Sequence, residues 1–99
     1  MPKPIAKLTP EERDAALAIL PDWHHEAARD AIVRSFVFPD FAAAFAFMTR
    51  VALIAEKSDH HPEWFNAWNK VDIVLTTHAC RGLSQRDLAM AHAIDGIAG

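Results

Sequence analysis

Trp64-Phe65-Asn66-Ala67-Trp68-Asn69-Lys70-Val71-Asp72-Ile73-Val74-Leu75-Thr76-Thr77 is the stretch that decides the fold. Aromatic and β-branched residues suit a pleated, half-buried surface, so the two runs, Trp64 to Asn69 and Val71 to Thr77, read as strands. In the second run Val71, Ile73, Leu75 and Thr77 share one parity and Asp72, Val74 and Thr76 the other, which predicts one core face. Asn69-Lys70 is the expected tight turn, making the pair an antiparallel hairpin.

Upstream, Pro62 and the polar run Ser58 to Glu63 are expected to stop a helix spanning Phe41 to about Lys57, with Asp40 as its N-cap. Phe41, Phe45, Met48, Ala52 and Ala55 recur at three- and four-residue spacing and are expected to form its core stripe. Phe47, Val51 and Ile54 make other sides apolar too, which suggests burial on two sides and a subunit interface. Ala31 to Phe38 reads as another strand. Its alternation is imperfect because Arg34 falls in the parity of Ile32, Phe36 and Phe38; a bulge or a partly covered face would each explain this. Trp23 to Ala28 fits a short strand followed by a turn.

Thr9-Pro10-Glu11-Glu12 has the makings of a capping box with proline at the first helical position, opening a helix that ends near Leu20, before Pro21-Asp22. Ala16, Leu17 and Leu20 share its apolar face. Downstream, Gly82 breaks the chain, and Ser84 with Asp87 three residues on starts a last helix. Its apolar face is Leu88, Ala91 and Ile94, and Gly96 is its expected end. The prediction is one α+β domain over residues 1–99. A four-stranded antiparallel sheet carries three helices packed on one face, in the order α-β-β-α-β-β-α.

Composition narrows the function classes. Hydrophobic residues make up 52% of the 99 and charged residues 23%, a globular balance. A formal net charge of −3 with no basic run lacks the attraction that nucleic-acid binders use, so no nucleic-acid partner is expected. No apolar run approaches the ~18 residues of a membrane span, so no membrane partner is expected. Met1 to Pro10 does not read as a signal peptide. Cys80 stands alone, so no intramolecular disulfide can form, and a reducing, cytoplasmic location is expected.

Six histidines are clustered rather than scattered. His60-His61 sits with Glu56 and Asp59 in the loop leaving the long helix, and Thr76-Thr77-His78 closes a strand. Imidazole exchanges protons near neutral pH, and a neighbouring carboxylate can orient the ring. A zinc site from His60, His61, His78 and Cys80 fits poorly, because neither HExxH nor CxxC is present and adjacent residues in extended chain point apart. His24-His25 is expected to be exposed, His92 to lie on a helix surface or interface, and Cys80 to be a packed side chain. No GxSxG elbow or glycine-rich phosphate loop occurs.

Glu56-Lys57-Ser58-Asp59-His60-His61-Pro62-Glu63-Trp64-Phe65-Asn66 closely resembles the signature of the pterin-4a-carbinolamine dehydratases. The resemblance continues through Asn69-Lys70-Val71, Thr77-His78, Gly82-Leu83-Ser84 and Arg86-Asp87. Upstream it takes in Trp23, Arg29-Asp30-Ala31-Ile32 and Phe47 to Ala52, and overall it spans about Thr9 to Asp95. Trp68 departs from a frequent tyrosine and Ser58 from a frequently apolar position. Arg81 and Gln85 lie in a variable turn, and His24-His25 is outside the pattern.

The resemblance implies a hydro-lyase that dehydrates a 4a-hydroxytetrahydropterin to the quinonoid dihydropterin without metal or organic cofactor, recycling the pterin of aromatic amino acid hydroxylases. It implies that His60, His61 and His78 surround the pterin, with His60 and His78 as acid and base and His61 positioning the substrate. Glu56, Asp59 and Asp87 become candidates to orient the histidines, and Thr76, Thr77 and Ala79 to line the pocket. A homo-oligomer, dimer or tetramer, is expected. The alternative is a dimerisation or coactivator-type binding module on the same fold.

Overall fold

The structure, a computed structural model, describes residues 4–98. The expected domain limits at Met1 and Gly99, and the first three residues of the segment Met1 to Pro10, lie outside the described residues. The order is α1 (Pro10–Ala18), β1 (His24–Glu26), β2 (Ala31–Val37), α2 (Phe41–Ser58), β3 (Glu63–Ala67), β4 (Lys70–Leu75) and α3 (Gln85–Ala98). One 3-10 turn, His78–Cys80, precedes α3. This is the predicted α+β class and α-β-β-α-β-β-α order, with the strands forming one antiparallel sheet, β1-β2-β4-β3.

One face of the central pair makes the core. Ile32 and Phe36 of β2 and Val71, Ile73 and Leu75 of β4 are all buried among apolar residues of the helices, as alternation requires. The β2–β4 register runs unbroken from Ile32↔Leu75 to Val37↔Lys70, so Arg34 marks no bulge. Its guanidinium lies 4.2 Å from the Phe36 ring centroid and donates to Asp95 Oδ1 of α3 at 2.5 Å. The indole N–H of buried Trp23 donates to the same oxygen at 2.8 Å. The face is thus covered only in part here, and a salt bridge satisfies the cation at its margin.

Both early helices start as their sequences dictate. Thr9 and Glu12 form the reciprocal capping box of α1, and the Asp40 side chain accepts the Ala43 N–H at 2.8 Å. The core stripe of α2 matches the expected one at Ala55 and, half-buried, at Met48, but not at its start. Ala44, Phe47, Val51 and Ala55 are buried, whereas Phe41 and Phe45 are 47% and 55% exposed. Both stripes have helical spacing, and the partner surface selects between them. Ala44 and Ala55 let the backbone approach the sheet, while the Phe47 ring settles 4.8 Å from Phe36 and 4.9 Å from Phe38.

Three boundaries also move. Asp59, rather than Pro62, ends α2: it adopts the left-handed conformation (φ 50°), and its N–H returns to Ala55 and Glu56 carbonyls. Aspartate tolerates this region better than most side chains. The hairpin turn is Trp68-Asn69, with Lys70 already paired to Ala67. Trp68 takes φ 49°, and the Asn66 side-chain amide donates to the Trp68 and Lys70 carbonyls at 3.1 and 2.9 Å, closing a turn that no glycine relaxes. Finally, α3 continues through Gly96 to Ala98, because Ile97 and Ala98 pack against the core.

Replacing Phe47 with alanine should cost about 3–5 kcal/mol, while Phe45→Ala, on the outward side of the same helix, should cost less than about 1 kcal/mol. Urea denaturation of the two variants at low protein concentration measures this. Equal losses would mean that the outer stripe, not Phe47, is the packed one.

Candidate active site

The α3 N-terminus fixes the site. Ser84 Oγ accepts the Arg86 N–H at 3.2 Å, and Asp87 Oδ2 accepts the Ser84 N–H at 2.9 Å, the reciprocal cap predicted from sequence. Asp87 is nonetheless fully buried. Its Oδ2 also accepts the Thr77 hydroxyl at 2.7 Å, and its Oδ1 lies 2.6 Å from His60 Nε2. Thr77 and Ser84 hydroxyls are 2.7 Å apart. Since Thr77 gives its proton to Asp87, Ser84 donates to Thr77 and accepts from Arg86. Every donor in the cluster has one acceptor, and among the described residues no buried side-chain N or O lacks a partner. A carboxylate only accepts, so His60 presents Nε2–H to it, and in the neutral ring Nδ1 is the free acceptor. Burial of a carboxylate is costly unless charge-assisted hydrogen bonds replace its water, and three do so here.

The left-handed Asp59 turns the chain back so that the His60 N–H reaches the Ala55 carbonyl at 3.1 Å, which carries the ring inward until His60 is 8% exposed. The next residue points out: His61 Nε2 lies 2.6 Å from Glu56 Oε1 on the last turn of α2. His78 opens the 3-10 turn with its side chain 86% exposed, its Nε2 3.5 Å from Glu63 Oε2 of β3. Cys80 Sγ faces the Thr77 and Gly82 carbonyls at 3.6 and 3.4 Å, a packed thiol as expected.

The three imidazoles border one hollow of about 230 Å³, lined also by Ile5, Asp59, Thr76, Thr77, Ala79 and Arg86. Glu56 and Asp87 stand behind His61 and His60 rather than in the wall. Asp59 lines the wall but forms no hydrogen bond to a histidine; its part is to end the helix. Glu63, Arg86 and Ile5 were not singled out from sequence. Glu63 and Arg86 lie within the quoted family runs, whereas nothing marks Ile5. Among the described residues no group of three His, Cys, Asp or Glu side chains could hold a metal ion.

A wider depression of about 520 Å³ adjoins the hollow, sharing Thr76, Thr77 and His78 and bordered by Lys7, Asp30, Glu63, Arg81 and Gly82. His25, expected to be exposed, is half-buried with Nε2 2.7 Å from Asp30 Oδ1, whereas His24 and His92 are exposed. Burial alone would raise the Asp30 pKa. The His25 hydrogen bond, the Leu83 N–H and the positive charges of His25 and Lys7 together outweigh it and hold the carboxyl below its ordinary value.

An α+β scaffold that brings three imidazoles to one hollow, two of them backed by carboxylates, has the equipment of a proton-transfer site. The chain belongs to the pterin 4 alpha carbinolamine dehydratase family, whose model matches residues 6–97. A Rhizorhabdus wittichii protein provisionally named pterin-4-alpha-carbinolamine dehydratase is 68% identical over 95% of this chain and 97% of its own. A Novosphingobium aromaticivorans protein of the same provisional name is 57% identical over 92% and 95%. The crystal structure of a transcriptional coactivator/pterin dehydratase from Brucella melitensis superposes with a TM-score of 0.92 at 50% identity, covering 95% of this chain and all of that one. A pterin dehydratase-like RuBisCO assembly factor of the alpha-carboxysome shares the fold, with a TM-score of 0.70 at 24% identity over 79% of this chain and 90% of that one.

Asp87→Asn swaps one acceptor oxygen for a donor facing donors and should lower stability by about 1–3 kcal/mol; chemical denaturation measures it, and an unchanged midpoint would contradict the hydrogen-bond assignment. Asp30 predicts a pH dependence. A carboxyl whose pKa is depressed on folding contributes stability above its unfolded pKa, about 3.9, and loses it as pH falls through the lower folded value. Thermal melts of Asp30→Asn should therefore lie below wild type at pH 7 and converge with it as pH drops below about 4. A gap independent of pH would refute that linkage.

Proposed function

We propose that the chain is a hydro-lyase that dehydrates 4a-hydroxytetrahydropterins to the quinonoid dihydropterin, with His60, His61 and His78 as its working groups. The single observation that carries this reading is that the three imidazoles border one hollow in a chain of this family. In the reaction N5 loses its proton, the N5–C4a double bond forms, and the C4a hydroxyl leaves as water after taking a proton. One base and one acid therefore suffice.

His60 is the base. Its Nε2–H is committed to Asp87, which leaves Nδ1 to accept the N5 proton, and the Asp87 carboxylate stabilises the imidazolium that forms. His78, open to solvent, is the acid: it recharges from bulk water and protonates the departing hydroxyl. His61, tied to Glu56, positions the pterin together with Asp59, Thr76, Thr77 and Ala79. The proposed chemistry uses no cofactor.

The remaining assignments follow the surface. Phe41, Phe45 and Leu53 on α2 and Phe65 and Trp68 on and beside β3 are large exposed apolar side chains, which supports a homo-oligomer. A binding-module role, joined to dehydratase in the Brucella protein's description, would draw on the same surfaces. The lone thiol supports a cytoplasmic location. No helix among the described residues is long and apolar enough to cross a membrane.

Spectroscopic measurement of 4a-hydroxytetrahydropterin dehydration tests the proposal. His60→Ala and His78→Ala should each lower kcat about 10²- to 10⁴-fold, and His61→Ala should act mainly on KM. Wild-type rates in all three variants would sink the proposal, and a wild-type chain no faster than the spontaneous reaction would favour the binding module.

A further inference from the structure

We infer that Asp30, with His25 behind it, is the positioning residue for His78, so that the β1–β2 turn sets the third imidazole of the site. The inference rests on the proposed role of His78 for its kinetic consequences, but not for its geometry.

His60 is held by its side chain. His78 is not: it is 86% exposed, and among the described residues its ion-pair contact is to Glu63, 3.5 Å away. Its place is therefore set by the backbone of residues 76–83. Within that segment Thr77 and Gly82 pair as an isolated bridge, Thr77 N–H to Gly82 O at 2.9 Å and Gly82 N–H to Thr77 O at 3.2 Å, which makes the 3-10 turn a closed unit. Contacts from outside fix this unit relative to the sheet: Asp87 Oδ2 accepts the Thr77 hydroxyl at 2.7 Å, the Leu8 N–H donates to the Leu83 carbonyl at 2.8 Å, and Asp30 touches the unit at both ends. The Asp30 carbonyl accepts the Thr76 hydroxyl at 3.1 Å, and its Oδ2 accepts the Leu83 N–H at 3.1 Å.

The fit is close. A Cβ on Gly82 would stand 2.3 Å from Asp30 Oδ2 and 2.6 Å from Lys7 Cε, so the carboxylate occupies the space that glycine leaves open. Asp30 reaches it from a left-handed backbone, φ 47°, which few side chains adopt without strain. His25 Nε2 holds the other oxygen at 2.7 Å, and Lys7 Nζ lies 3.8 Å from Oδ2. Arg29, Glu63 and Arg81 are the other charged side chains on the same depression. Asp30 itself is outside the histidine hollow, so it acts through the segment it holds.

Two substitutions separate position from charge. Asp30→Asn removes the carboxylate charge. Gly82→Ala keeps it and displaces it sterically. Both should lower kcat about tenfold through a misplaced acid, with KM changed less than about twofold, and neither should lower it further in a His78→Ala background. Wild-type kcat in both, or the same tenfold fall without His78, would overturn the inference. Histidine ring NMR provides a readout independent of turnover. His78 resonances should move in both variants while those of His60 and His61 stay in place. Unmoved His78 resonances would overturn the inference even in a chain that lacks dehydratase activity, and a wild-type chain without activity but with a moved His78 would sink only the dehydratase proposal. If Gly82→Ala does not fold, His25→Gln, which leaves the turn backbone intact, takes its place with the same expected direction.

Discussion

A carboxylate without water must be met by donors, and Asp87 is met by three, from three separated parts of the chain. His60 comes from the loop that leaves α2, Thr77 from beyond the end of β4, and Ser84 from the cap of α3. Failure of any one would leave a buried acceptor short of a partner at a cost comparable to a sizeable part of a small domain's stability. The same requirement binds fold and site into one object. The helix cap needs Asp87, Asp87 needs the imidazole, and the imidazole enters the core only because Asp59 turns the helix end back on itself.

The three histidines are consequently held to different degrees. His60 is buried and fixed through its ring. His61 is exposed and tied to a glutamate on the adjacent helical turn, a contact of the kind that solvent weakens. His78 is carried by a short closed turn and placed through that turn's backbone. For the proposed proton transfer, one ring sheltered and another open is a useful division. The sheltered ring gains a fixed tautomer, and the open one gains access to bulk solvent.

Much of this was legible along the chain because it rests on local rules. Thr9 with Glu12, Asp40, and Ser84 with Asp87 announce their helix starts, and the parity of Val71, Ile73 and Leu75 announces the buried face of β4. The histidine excess stands out in the composition, and the stretch that resembles the family signature carries His60 and His61. The errors share a cause. Phe41 and Phe45 satisfy helical spacing as well as Ala44, Phe47 and Val51 do, and a repeat cannot say which stripe finds the sheet. Trp68 adopts left-handed backbone that its residue type does not advertise, and Asp59, whose type tolerates that region, ends the helix ahead of the more obvious Pro62. Gly96 reads as a helix stop, yet the packing of Ile97 and Ala98 carries the helix past it.

Interactions within a few residues suffice for the elements, their order, the caps and the residue types available for proton transfer. Tertiary structure alone decided the rest. It set Asp87 against His60 across 27 positions and put Asp95 between Arg34 and Trp23. It brought Glu63 to His78 and laid Asp30 over Gly82. Those pairings join residues far apart in the chain. No local pattern encodes them, because what selects them is the joint demand that every buried polar group find a partner while the apolar faces close.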